Sequence, residues 1–208
     1  MYDFVKVTGA LPIVLWLRTK VIYPFGKVKI PRAVLVSANH RSLFDPVIVH
    51  TVFPARRLNC LATKDLYNTK IKAWFFEKMH CIQVDKENFS MASFHAVVDR
   101  LSEGKTVVIF PEGQLNHEKV QDSVLTFKSG AVLMASKAKA PILPIYIEPR
   151  TRWYKRQRVA VGLPIDTSEL LGPMPGIADL TRVSEYVRQK ELELMQWLKP
   201  KEKEAANV

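Results

Sequence analysis

Three short runs are apolar on both faces: Ala33-Val34-Leu35-Val36-Ser37-Ala38, Thr106-Val107-Val108-Ile109-Phe110 and Ile142 to Ile147. A strand that alternates apolar and polar residues can lie on a surface. A run without alternation has to be covered on both sides, as in a strand inside an α/β sheet. Between these runs lie helical patterns. Phe94, Val97, Val98 and Leu101 recur at helical spacing ahead of Gly104, which stands where a C-terminal cap belongs. Ile71, Trp74, Phe75 and Met79 repeat the period, and residues 130–139 and 180–198 supply two further helices. Leu58 to Thr63, Cys81 to Val84 and Arg158 to Val161 complete the strand candidates, while 167–179, with several Gly and Pro, is expected to be a loop. Strands alternating with helices predict an α/β fold with a mostly parallel central sheet flanked by helices. At 208 residues with 48% apolar content, the chain is expected to form one domain rather than two.

The N-terminus departs from this pattern. Residues 7–17 carry no charge, yet Lys6 and Arg18 bound the run well short of the ~20 residues needed to span a bilayer. Asp3 before Lys6, and Arg18-Thr19-Lys20 after the run, also argue against a cleaved signal. Trp16, Tyr23 and Phe25 beside Arg18, Lys20, Lys27 and Lys29 suit a membrane interface, with a helix packed on the core as the alternative. The expected organisation is therefore a membrane-associating helical segment (1–28), a main domain (29–198) and a solvated tail (199–208). Thirty-one Lys and Arg against 20 Asp and Glu give +11, a field that favours an anionic partner. The cluster from Arg150 to Arg158 interleaves cations with Trp153 and Tyr154, as expected of a loop resting on anionic headgroups. Cys60 and Cys81 are too few for a disulfide scaffold, and no His/Cys spacing supports a metal site.

Sites in open α/β sheets gather beyond the carboxyl ends of strands. The turn after the first buried strand holds His40 and, five residues on, Asp45-Pro46, an N-cap and N1 pair for the following helix. Asp45 at that position can cap the helix with one oxygen and hold an imidazole N–H with the other, leaving the second ring nitrogen as a base. Ser42 lacks a nucleophile-elbow sequence around it and reads as a structural hydroxyl. The turn after Phe110, Pro111-Glu112-Gly113-Gln114, puts glycine and backbone amides where an anion can approach.

Asn39-His40 through Asp45-Pro46, Phe110-Pro111-Glu112-Gly113 and Ala140-Pro141-Ile142-Leu143-Pro144-Ile145 resemble, in order and separation, three motifs of the glycerolipid acyltransferases, in particular the bacterial 1-acylglycerol-3-phosphate acyltransferases. The resemblance covers about residues 30–165 and includes Lys64-Asp65-Leu66, Phe127-Lys128-Ser129-Gly130 and Gly162-Leu163-Pro164-Ile165. It implies transfer of a fatty acyl group from acyl-CoA or acyl carrier protein to the hydroxyl of a lysophospholipid, without metal or bound cofactor. It also implies a place on the cytoplasmic face of the inner membrane, and no nucleic-acid partner. Carried over by residue, it makes His40 the base and Asp45 its orienter. Glu112, Gly113 and Gln114, with Lys64, Lys86 and Lys128, then surround the acceptor phosphate. Lys86 stands where the family has arginine, and Gln114-Leu115-Asn116 where it commonly has Thr-Arg-Ser, which leaves the phosphate site one cation and one hydroxyl poorer. Two other readings of the same residues are a thioesterase that passes the acyl group to water and a non-catalytic basic module for membranes or nucleic acid.

Overall fold

The computed structural model describes residues 1–5, 8, 11–85, 90–113, 127, 129–149, 156–172 and 175–199. Seven strands, β1 (Lys20–Ile22), β2 (Val34–Ala38), β3 (Leu58–Thr63), β4 (Ile82–Val84), β5 (Thr106–Ile109), β6 (Ile142–Ile147) and β7 (Arg158–Val161), form one sheet in the order β1-β7-β6-β2-β5-β3-β4. The five strands from β6 to β4 are mutually parallel, so their carboxyl ends share one edge. Only the β6/β7 pair is antiparallel.

β2, β5 and β6 occupy the centre and every one of their residues is buried, which is why their sequences show no alternation. Their side chains nevertheless divide by parity. Val34, Val36 and Ala38 meet α2 (Leu11–Leu17) and α3 (Asp45–His50) through Leu17, Ile48 and Val49. Leu35, Val107 and Ile109 face the opposite layer. That layer holds Val97 and Leu101 of α5 (Met91–Ser102), Met134 of α6 (Gly130–Lys137), and Val183 and Val187 of α8 (Ile177–Leu198). The result is a three-layer α/β/α arrangement.

Local signals behave as chemistry requires. Ser90 caps α5 by accepting the Ser93 N–H at 3.1 Å, and Gly104 ends the helix at φ 74°, a conformation that costs glycine least. A Cβ on Gly162 would lie 2.9 Å from Pro144 Cγ, so the Gly162-Leu163-Pro164 segment passes β6 at a distance only glycine permits.

Two sequence expectations change, and one linking turn is added. Within 167–179, α7 (Thr167–Leu170) forms a single turn capped by Asp166, and α8 begins at Ile177, three residues early, its Asp179 carboxylate accepting the Gly176 N–H. A 3-10 turn (Lys64–Tyr67) links β3 to α4 (Lys70–Lys78). At the N-terminus, α1 (Tyr2–Val5) and α2 are short, with Pro12 in the first turn of α2 where a missing N–H costs nothing. Lys20–Ile22, inside the segment read as membrane-associating, forms the edge strand paired with β7. Among the described residues no helix is long and apolar enough to cross a membrane.

Candidate active site

The parallel register fixes which turns meet. Ser37 pairs with Ile109 across β2/β5 and Cys60 with Val108 across β3/β5, so the segments leaving Ala38, Phe110 and Thr63 emerge side by side. They carry His40, Glu112-Gly113 and Lys64.

Asp45 is the first residue of α3 rather than its cap. Phe44 takes the cap position without a side-chain bond. The Asp45 carboxylate therefore turns back over the preceding loop instead of reaching Val47 or Ile48. Its Oδ2 accepts the Arg41 N–H at 2.7 Å and the Ser42 N–H at 2.8 Å, and lies 3.0 Å from His40 Nδ1. Asp45 is 2% exposed and the His40 side chain 19%, so the pair is held out of bulk water with the ring edge still reachable. Fixing Nδ1 as donor to a carboxylate leaves Nε2 with its lone pair outward, and no described residue hydrogen-bonds it. The ring lies on Phe110, centroids 4.2 Å apart and planes 23° apart. Ser42 Oγ accepts the Phe44 N–H at 3.1 Å, in keeping with a structural hydroxyl.

Two supports of this turn are invisible in the sequence. Asn39, 1% exposed, donates its amide to Ile147 O at 3.0 Å and accepts the Ile147 N–H at 2.7 Å, which ties the His40 turn to the end of β6. On the other face of the sheet, the Ser37 hydroxyl donates at 2.7 Å to Glu191, a fully buried carboxyl of α8. Burial holds the Glu191 carboxyl well above its ordinary pKa and Glu112 adds to the rise; Ser37 and Arg188 oppose it. Both depend on contacts more than a hundred residues apart in the chain.

Glu112 is itself buried, at 5% exposure. Gly113 closes its turn at φ 70° with its N–H donated to Phe110 O at 3.0 Å, so that N–H serves the turn rather than an anion. Lys64 is exposed at the same edge of the sheet. Lys86, Gln114 and Lys128 lie outside the described residues. Burial pushes the Cys81 thiol up to about 11 and Cys60 higher still, so neither is a ready nucleophile. No group of three His, Cys, Asp or Glu among the described residues can hold a metal ion. Arg158 is withdrawn from the basic cluster expected at headgroups. It forms a forked ion pair with Glu148 (Nε to Oε2, 2.6 Å) and donates to Leu198 O at 2.7 Å.

His40 lines a cavity of about 1190 Å³ whose walls include Val47 of α3, Leu58 and Cys60 of β3 and Phe75 and Phe76 of α4, and also Ile109 and Met134, which belong to the opposite layer. An imidazole oriented by a carboxylate beside a largely apolar cavity suits a reaction on a chain that is apolar at one end and polar at the reacting end.

A family model for acyltransferases matches residues 25–148, a span that contains the His40 turn, the Phe110 turn and most of the sheet. The chain belongs to the acyltransferase family. Curated relatives include the 1-acyl-sn-glycerol-3-phosphate acyltransferase of Bacillus subtilis, 27% identical over 93% of this chain and 96% of that one. The enzyme of the same name from Streptococcus pneumoniae is 26% identical over 80% of this chain and 64% of its own length. Among solved structures, the 1-acyl-sn-glycerophosphate acyltransferase PlsC of Thermotoga maritima superposes with a TM-score of 0.66 over 94% of this chain and 79% of that one. At 21% identity, that likeness establishes the fold.

Proposed function

We propose that this acyltransferase moves a fatty acyl group from an acyl thioester, acyl-CoA or acyl carrier protein, to the free hydroxyl of 1-acylglycerol-3-phosphate, giving phosphatidic acid. One observation carries the reading: an imidazole oriented by a buried carboxylate lines a largely apolar cavity of about 1190 Å³. The acyl chain lies in the cavity and the thioester carbonyl stays near His40. Nε2 takes the acceptor's hydroxyl proton as its oxygen attacks the carbonyl carbon. Asp45 stabilises the imidazolium, and the thiolate leaves with the proton returned from His40. Neither an enzyme-bound acyl group nor a cofactor is needed.

The turn of Glu112 and Gly113 supports the acceptor headgroup, with Lys64 and, from the family resemblance, Lys86, Gln114 and Lys128 around its phosphate. The cavity faces a membrane surface: Leu43 and Leu66 line it while 75% and 39% exposed, and Trp74, Ile71 and Trp16 stand exposed on α4 and α2. Lys64, Lys70 and Lys72 on the same stretch favour anionic headgroups. The cytoplasmic leaflet, where acyl thioesters are made, is the corresponding location.

The test is thiol release by purified protein from a long-chain acyl-CoA, with and without lysophosphatidate. Release that requires the lysolipid supports the reading. Equal release without it identifies a thioesterase.

A further inference from the structure

Two carboxyls are buried where β5 ends, Glu191 at 0% exposure and Glu112 at 5%. We propose that they hold one proton between them, and that Glu191, a positioning residue acting through Glu112, thereby couples binding of the acceptor phosphate to that proton. The inference rests on the phosphate-bearing acceptor proposed above.

The register brings the two together. Ser37 of β2 pairs with Ile109 of β5, and Glu112 follows Ile109 by three residues. The Ser37 hydroxyl donates to Glu191 Oε1 at 2.7 Å, so α8 delivers its carboxyl to the level at which β5 ends. Pro111 and Gly113 line the His40 cavity and Glu112 is not among its walls, which leaves the buried Glu112 carboxyl behind the surface that meets the acceptor. Glu112 is near enough to add to the rise in the Glu191 pKa that burial begins.

Glu191 Oε2 is buried and meets no hydrogen-bond partner among the described residues. An ionised oxygen stripped of both water and donors is unfavourable, whereas the same oxygen carrying a proton is neutral. Two carboxyls in one desolvated place retain a proton for a second reason, their mutual repulsion, and it then belongs to the pair rather than to either residue. The cations nearby are engaged or remote. Arg188, on the same helix, donates to Glu185 at 2.8 Å. Arg158 of β7 is held by Glu148 and the Leu198 carbonyl, Lys137 of α6 is exposed, and β6 contributes Tyr146, buried beside Leu194. A phosphate above this turn therefore meets one buried negative charge while the proton is held and two once it is lost. By linkage, the phosphate and the proton favour each other.

The test is steady-state kinetics with lysophosphatidate and acyl-CoA from about pH 6 to about pH 9.5, a range in which strongly raised carboxyls titrate, for the wild type, Glu191→Gln and Ser37→Ala. Glutamine is neutral at every pH. As pH rises, the wild-type KM for lysophosphatidate should climb relative to that of Glu191→Gln by about fivefold, the scale of one further charge near an anion at an effective dielectric of ~20. The ratio of their KM values for acyl-CoA should stay level. Ser37→Ala removes a hydroxyl that favours the ionised carboxyl, so its climb should begin at higher pH than that of the wild type. Acceptor KM values in constant ratio across the range overturn the shared proton and leave the acyl-transfer reading standing. Should Glu191→Gln not fold, Ser37→Ala decides: a climb displaced upward supports the proposal, and one that coincides with the wild type overturns it. A wild type that passes no acyl group to lysophosphatidate at any pH overturns the acceptor reading and the inference together.

Discussion

Two histidines line one cavity, and their partners separate them. His40 Nδ1 meets the Asp45 carboxylate and Nε2 is left for substrate. His50 spends Nε2 on the Tyr2 hydroxyl, a neutral partner. A carboxylate can stabilise an imidazolium and a phenol cannot, so these two contacts give the rings different chemistry. The carboxyls show the same contrast. Asp45 gathers two backbone N–H groups and an imidazole, whereas Glu191 receives one hydroxyl and is held above its ordinary range.

The contrast breaks most clearly with His40→Ala, expected to lower kcat by about 10³-fold with its melting transition retained, because the base is lost and the turn still closes on Asp45. Near-normal turnover in that variant would remove the mechanism. Asp45→Asn keeps a similar shape and loses the charge, and steady-state kinetics should show a fall of about 10²-fold, mainly in kcat. His50→Gln should cost less than tenfold in turnover and about 1 kcal/mol in stability, a Tm drop of about 2–4 °C by calorimetry. A loss as deep as that of His40→Ala would erase the distinction between the two histidines.

Glu191→Gln gives the smallest effect, and its sign follows from linkage. Between the ordinary carboxyl pKa and the raised one, the folded chain keeps a proton that the unfolded chain has released, so wild-type stability falls as pH rises through that window. The glutamine variant lacks that slope and can still accept from Ser37. Its Tm should therefore gain on the wild type as the pH rises above the ordinary carboxyl range. Parallel Tm curves would show that Glu191 is ionised in the folded protein.

Much of this architecture is legible in the residues. β6 and β7 fall where their apolar runs begin and end, and α5 is marked by its period and by Gly104. The one-turn helix at Thr167–Leu170 is too short to show a period, and the edge strand at Lys20–Ile22 is three residues long. The His40 and Asp45 pairing is local, so five residues of spacing and a turn suffice to expect it. The carboxylate's backbone partners differ from expectation because Asp45 enters the helix instead of capping it. Asn39, Phe110, Glu191 and Tyr2 depend on which strands become neighbours, a matter of sheet order that periodicity does not encode. For the headgroup, Lys64 is placed beside the His40 turn by the register, while Lys86, Gln114 and Lys128 rest on the family resemblance.

The central claim is that Asp45 acts through His40 as one unit. A double-mutant cycle on kcat with His40→Ala, Asp45→Asn and the combined variant tests it most directly. The account predicts that the double variant is no slower than His40→Ala, because an orienter has nothing to orient once the ring is gone. Multiplied losses in the double variant would show that the two side chains act independently and would contradict it.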